Sequence, residues 1–280
     1  MPYDNSLLDH LRSQANRIRC ESIRMITSAG TGHPGGSLSE ADILAALYFH
    51  TLRIDPLQPT WPARDRFILS KGHACAGLYA ALALRGYFPL EELATFRQFG
   101  SRLQGHPDMT KTPGVDMGSG PLGNGLGAGV GMALGARILS QDFRVFVMIG
   151  DGDAQEGCTW EASMMAGYQH LGSLTCIYDY NRSQVDGSTA DVLDLEPAAD
   201  KWRAFNWDVL EIDGHDMEAI LDALAWAAPP RQRPALILAH TIKGRGVSFM
   251  EGQSAWHGKA PTQEQAALAL RELGEEVNHG

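Results

Sequence analysis

The chain has few cysteines and no pattern among them. Cys20, Cys75, Cys158 and Cys176 form no CxxC pair, and no HExxH or similarly spaced histidine pair occurs. Zinc-ribbon, thioredoxin-like and zincin chemistry are therefore excluded as readings. A 280-residue chain does not need disulfides to fold, so a reducing cytoplasm is the expected compartment. No run approaches the ~20 apolar residues of a membrane span. The N-terminal stretch MPYDNSLLDHLRSQANRIRCES is charged throughout and lacks the apolar core of a signal peptide. Internal repeats and low-complexity tracts are absent too. Basic residues are in deficit, with 23 Lys+Arg against 33 Asp+Glu and a net charge of -10. That argues against electrostatic binding to nucleic acid. It leaves anionic ligands open, because backbone N–H groups and metals can hold phosphates on an acidic protein.

What is present is ordinary core material: 44% hydrophobic residues, enough for one large domain. Apolar residues at helical spacing predict a helix over 6–29. The glycine-rich GTGHPGGS (30–37) is expected to break it, and a second helix to start near Ser39. Residues 65–87 read as strand, turn and helix, followed by a short helix near 89–97. After a long glycine stretch at 114–135 the pattern becomes regular. Strands are expected at 144–152, 173–181, 207–216 and 234–241, and helices at 125–139, 155–172 and 217–228. The segment 191–201 reads as a surface connection, 228–234 as a loop, and the chain after 262 as one helix with a frayed end. Alternating strands and helices predict an α/β fold, a mostly parallel central sheet with helices on both faces. One domain over 1–262 and a C-terminal helix and tail over 263–280 are expected.

In such a sheet, ligands bind beyond the carboxyl ends of the strands. Gly150-Asp151-Gly152 follows the apolar VFVMI, and Asp179-Tyr180-Asn181 follows LTCI. Asp151 offers a carboxylate and Asn181 a neutral amide oxygen. Mg²⁺ takes oxygen ligands and is commonly held by one or two protein groups plus phosphates. Asp and Asn are also common turn residues, but two consecutive strand ends place these two side by side. GSGPLG (118–123) matches GxGxxG, yet no strand precedes it and no strand ending in an acid follows, so a dinucleotide fold is a poor reading. A backbone-rich loop able to meet a flat ligand is the better one. Four histidines, His33, His73, His106 and His257, sit in glycine- or proline-marked loops. Such loops often carry function, and histidine suits proton transfer near neutral pH. His10, His50, His170 and His240 read as structural or surface residues.

Taken in order, GTGHPGGSLSEAD, SKGHA, GHPDMTKTPGVDMGSGPLGNGLGAGVGMA, GDGDAQEGCTWEA, YDYNRSQVDGST and AWHGKAP resemble the N-terminal part of transketolases, over about residues 15–262. The spacing of GDG and Asn181 also resembles the wider thiamine-diphosphate signature. The resemblance implies the diphosphate-type domain of the thiamine-diphosphate-binding fold. It implies Mg²⁺ (or another divalent cation such as Ca²⁺ or Mn²⁺) held by Asp151, Asn181 and the Ser183 carbonyl. Ser183 departs from the apolar residue of many relatives, a change that a carbonyl ligand tolerates. Gly152 and His73 are expected at the diphosphate, with His257 among the cofactor contacts, and Gly120 and Leu122 at the aminopyrimidine. His33, His106 and His257 are expected along the substrate channel, and Glu156 at a subunit interface. The implied reaction is transfer of a two-carbon ketol unit from a ketose, such as a sugar phosphate, to an aldose. A full transketolase is more than twice as long, and its later domains complete the active site. The expectation is therefore a polypeptide that is catalytic only with a separate C-terminal, pyrimidine-binding subunit, in an α2β2 heterotetramer. Alternatives are a component of another two-subunit thiamine-diphosphate enzyme (a synthase or 2-oxo acid dehydrogenase) and a non-catalytic paralogue.

Overall fold

A computed structural model describes residues 3–228 and 231–275. Its centre is a five-stranded sheet, β1 (Arg66–Leu69), β2 (Val145–Gly150), β3 (Leu174–Tyr180), β6 (Asp208–Asp213) and β7 (Ala235–His240), in the order β1-β2-β3-β7-β6. Every pairing in it is parallel. A two-stranded hairpin, β4 (Ser183–Gln184) with β5 (Gly187–Ser188), stands apart at the end of β3.

Strand side chains alternate between faces, and both faces are covered. Phe67, Leu69, Phe146, Met148, Ile177 and Ile237 point into one core. That core is closed by α1 (Asn5–Ala29), α3 (Ala41–Ala46), α4 (Cys75–Arg85) and α10 (Met217–Ala227). Ile68, Val147, Ile149, Cys176, Tyr178 and Leu238 point into the other, under α5 (Asn124–Ile138), α7 (Gly157–Tyr168) and α9 (Ala198–Ala204). Strands buried on both sides are mostly apolar, which is why β2 reads as an unbroken apolar run and β3 departs from one only at Thr175 and Asp179. A third cluster packs α11 (Gln263–Glu272) onto α1 through Cys20, Ile23, Trp256, Ala266, Ala269 and Leu273.

The expected elements are present, with several shifts. The second helix begins at α2 (Pro34–Ser39), inside the glycine-rich stretch rather than near Ser39. Pro34 occupies the first helical turn, where its missing N–H costs nothing. Asp151 does not sit in a simple turn but opens a short helix, α6 (Asp151–Ala154). The helix expected from 155 starts instead at Gly157. The connection at 191–201 holds the end of α8 (Thr189–Val192) and the start of α9, whose Trp202 is fully buried. Positions 229–230 of the expected loop and the frayed end at 276–280 lie outside the described residues.

Candidate cofactor and metal site

The carboxyl ends of β1, β2, β3 and β7 converge on a cleft of about 280 Å³. Its lining includes His73, Leu122, Gly152, Glu156, Ser183 and His257. Asp151, Asn181, Lys71 and Lys243 line it as well. The sheet order explains the convergence, since Gly150 is registered against Asp179 and Tyr180 against His240.

Asp151 is 2% exposed. Its Oδ2 accepts the N–H groups of Asn181 at 3.2 Å and Ser183 at 3.4 Å, and its Oδ1 accepts the Tyr178 hydroxyl at 3.0 Å. The hairpin after β3 is thereby folded over the carboxylate. Burial pushes the carboxyl up to about 7, and the nearby Asp179 pushes the same way. The Asn181 side-chain oxygen is buried with no hydrogen-bond partner. A carboxylate whose charge is opposed by burial and an orphaned amide oxygen side by side are costly. Both costs are relieved by a hard cation. Among the described residues no three His, Cys, Asp or Glu side chains gather into a metal cluster. One carboxylate, one amide oxygen and one carbonyl suit Mg²⁺ that draws its other ligands from phosphates. The donor set fits.

Asp153 fixes the frame. Its carboxylate accepts the N–H of Gly150 at 2.9 Å, the N–H of Gly123 at 2.7 Å and the Ser70 hydroxyl at 2.6 Å. The end of β1, the end of β2 and the GSGPLG loop are thus tied to one side chain. Gly123 is left-handed, at φ 80°. A Cβ there would run into Glu156 and Cys158, so only glycine permits this approach. Leu122 then lies against Gly152, where a Cβ would be 3.0 Å from its Cδ1.

The loop histidines gather beside this cleft. The His33 ring lies 5.1 Å from His73 and 5.5 Å from His257, and His73 lies 5.0 Å from His257. Burial, with further cations and histidines nearby, lowers His33 and His257 to about 4 and His73 well below its ordinary value. All three are neutral imidazoles at neutral pH. His106 is exposed, and a Cβ added at Gly120 would lie at van der Waals distance from its ring. Glu156 is exposed and precedes α7 as its N-cap. Of the residues anticipated for the site, His73, Leu122, Asp151, Gly152, Glu156, Asn181, Ser183 and His257 line this cleft, His33 packs against His73 and His257 at its side, and His106 and Gly120 are not part of the lining.

Sequence reasoning missed the cations. Lys71 is 3% exposed and donates to Asp179 at 2.5 Å and to the Gly36 carbonyl at 3.0 Å, with Glu40 at 2.7 Å. Burial opposes its charge, but Asp179 and Glu40 outweigh burial and hold its pKa above the ordinary lysine value. Lys243, also 3% exposed, donates to the Ser183 carbonyl and contacts His257 Nδ1. Burial lowers it to about 8. His215 holds the backbone of the preceding residue. His215 Nε2 accepts the Ile242 N–H at 2.8 Å, so its proton sits on Nδ1, 2.7 Å from Asp42. Lys71 lies inside SKGHA and Lys243 closely follows the β7 strand end, which were the available signals.

Known proteins resemble the chain in sequence and in overall fold. Residues 11–279 match the family described as transketolase, thiamine diphosphate binding domain. The chain is 48% identical to a 6-deoxy-6-sulfo-D-fructose transketolase subunit of Clostridium sp. (strain MSTE9), over 95% of this chain and 97% of that protein. It is 42% identical to an apulose-4-phosphate transketolase subunit of Phocaeicola vulgatus, over 95% and 94%. Among solved structures, the transketolase from Campylobacter jejuni superposes with a TM-score of 0.92 at 36% identity, over 99% of this chain but only 44% of that one. The chain thus spans nearly all of the two bacterial subunits and less than half of the solved enzyme.

Proposed function

The chain belongs to the transketolase family through its thiamine diphosphate binding domain, and on that footing we propose that it is the diphosphate-binding subunit of a two-subunit transketolase. The observation that carries the reading is the pairing of buried Asp151 with the orphaned oxygen of Asn181 at adjacent strand ends. Asp151, Asn181 and the Ser183 carbonyl would hold Mg²⁺. His73, Gly152 and Lys243 would receive the diphosphate, with Asn181 and His257 against it. Gly120 and Leu122 would meet the aminopyrimidine through backbone groups. When bound, thiamine diphosphate supplies the nucleophilic carbanion that takes up a two-carbon ketol unit. His33, His106 and His257 would orient the sugar hydroxyls, accept and return protons at their ring nitrogens, and donate to the developing oxyanion. Their low proton affinity keeps them ready as acceptors.

The relatives named for a sulfo-sugar and for a phosphorylated sugar share an anionic head group. We propose an anionic ketose as donor and an aldose as acceptor. The catalytic partner is a separate pyrimidine-binding subunit, in an α2β2 heterotetramer. Exposed Met164, Met165 and Tyr168 on α7, the helix that Glu156 caps, support a covered face there. So do Gly127 and Gly131 on α5, where an added Cβ would meet nothing. Among the described residues no helix is long and apolar enough to cross a membrane, and we place the enzyme in the cytoplasm.

The test is a native mass spectrum of the tagged chain, purified from its host with Mg²⁺ and thiamine diphosphate. A second polypeptide in equal number with two cofactors per tetramer is expected. A lone homo-oligomer without cofactor would overturn the proposal.

A further inference from the structure

Arg97 plays no part in the site described above, yet it joins two of its loops. Its backbone is left-handed at φ 60°, a conformation that non-glycine residues adopt only when the surroundings hold them there. Here its N–H donates to the Leu103 carbonyl at 2.8 Å. The guanidinium then spans a gap. One nitrogen donates to the Thr31 hydroxyl at 3.2 Å, two residues before His33. The other donates to the Gly105 carbonyl at 3.3 Å, one residue before His106. A Cβ on Gly105 would fall 3.0 Å from the guanidinium carbon, tighter than an ordinary contact, so a larger residue there would displace the fork. The nearby acids are engaged elsewhere: Glu92 pairs with Arg102 and Asp108 with Lys111. Among the described residues no carboxylate lies within ion-pair distance of Arg97, so its charge is not neutralised locally.

We propose that Arg97 is a positioning residue that staples the His33 and His106 loops into one substrate-facing wall and sets a fixed positive charge beside both imidazoles. The inference rests on the transketolase reading only for what the histidines do. Burial is the main reason His33 and His106 bind protons weakly, and Arg97 comes next for both. His33 also faces His73, His257, His106 and Lys243, of which the His73 contact alone favours its charged form. Arg97 is the one charged neighbour that acts on both rings.

The sign of the effect is fixed. A cation beside an imidazole favours its neutral form, so removing the cation raises the proton affinity of both rings. In the complex of this chain with its partner, loaded with Mg²⁺ and thiamine diphosphate, Arg97→Met should lower kcat/KM for the ketose by up to about 100-fold through misplacement of the loops. It should also move the acid limb of the pH profile upward, while cofactor affinity stays unchanged. Arg97→Lys keeps the charge but loses the two-pronged fork, so it should restore the acid limb without restoring the full rate. An unmoved limb and an unchanged rate in an active complex would overturn the proposal, as would a loss of rate matched by an equal loss of cofactor affinity. Should Arg97→Met not fold, Arg97→Lys and Thr31→Val carry the same comparison. A wild-type complex that converts no ketose would defeat the proposed function alone. NMR titration of His33 and His106 in the full-length chain then decides for Arg97: the methionine variant must raise both pKa values, and unchanged values overturn the inference.

Discussion

The ammonium of Lys243 donates to the carbonyl oxygen of Ser183 at 3.0 Å. That oxygen is the third protein ligand proposed for the metal, so a lysine and a divalent cation would meet at one carbonyl. A bound diphosphate would relieve this crowding if Lys243 were one of the groups that hold it. Hydrogen bonds to charged groups contribute about 1.5–3 kcal/mol. Lys243→Met should therefore weaken binding of thiamine diphosphate with Mg²⁺ by roughly 10–100-fold, read by titration calorimetry. Unchanged affinity would remove Lys243 from the diphosphate site.

Asp151 makes a pH-dependent prediction. Burial raises its folded pKa to about 7, against about 3.9 in an unfolded chain. The folded state then binds more protons than the unfolded one between those values, so the cofactor-free protein loses stability as pH rises from about 4 to about 7. Glu40, also pushed up to about 7 by burial, acts in the same direction. Asp151→Asn should flatten part of this slope and raise the cofactor-free Tm at pH 8, yet abolish metal-dependent cofactor binding. A variant that binds cofactor normally would show the metal assignment to be wrong.

Lys71 holds Asp179 and Glu40 together beneath the cleft. Ser39 donates to the same Asp179 at 2.7 Å, and Thr241 hydrogen-bonds it as well. Breaking a buried ion pair leaves an uncompensated charge and costs about 3–5 kcal/mol. Lys71→Met should show a loss of that order in urea unfolding, and Lys71→Met with Asp179→Asn should recover part of it. A double variant no better than the single one would mean that unpaired charge is not the cause.

The glycines of α5 should behave oppositely according to what they face. A Cβ at Gly125 would collide with Ser70, whereas at Gly127 and Gly131 it would meet open space. Gly125→Ala should destabilise the chain by about 1–3 kcal/mol. Gly127→Ala and Gly131→Ala should stabilise the isolated chain by about 0.5–1 kcal/mol each. If this face is covered by a partner, the same two variants weaken assembly, measurable by sedimentation. Stabilised variants that assemble normally would place the partner elsewhere.

The fold was legible because burial on both faces forces long apolar strands, and β2, β3 and β7 have that composition. Asp151 and Asn181 were legible because they end two such strands. The edges were harder. Pro34 begins a helix inside a glycine-rich stretch because a helix start tolerates proline and the tight packing there favours small residues. The α9 helix was hidden by its shortness and by acidic flanks, and its place depends on Trp202 packing against Trp207 at 4.9 Å.

Sequence by itself determined the βαβ alternation, the strand-end carboxylate and amide, and the histidine-bearing loops, since each is a local pattern of residue type against period. Tertiary structure alone decided which cations matter. Lys71 is separated from Asp179 by 108 positions and Lys243 from Ser183 by 60, and no local rule couples residues so far apart. Their pairing follows from the strand order, which sets β1, β2, β3 and β7 side by side and so brings their carboxyl ends to one cleft. Burial then gives those charges their strength, because a lysine that would be solvated on an open surface must, at 3% exposure, find its partners inside the protein.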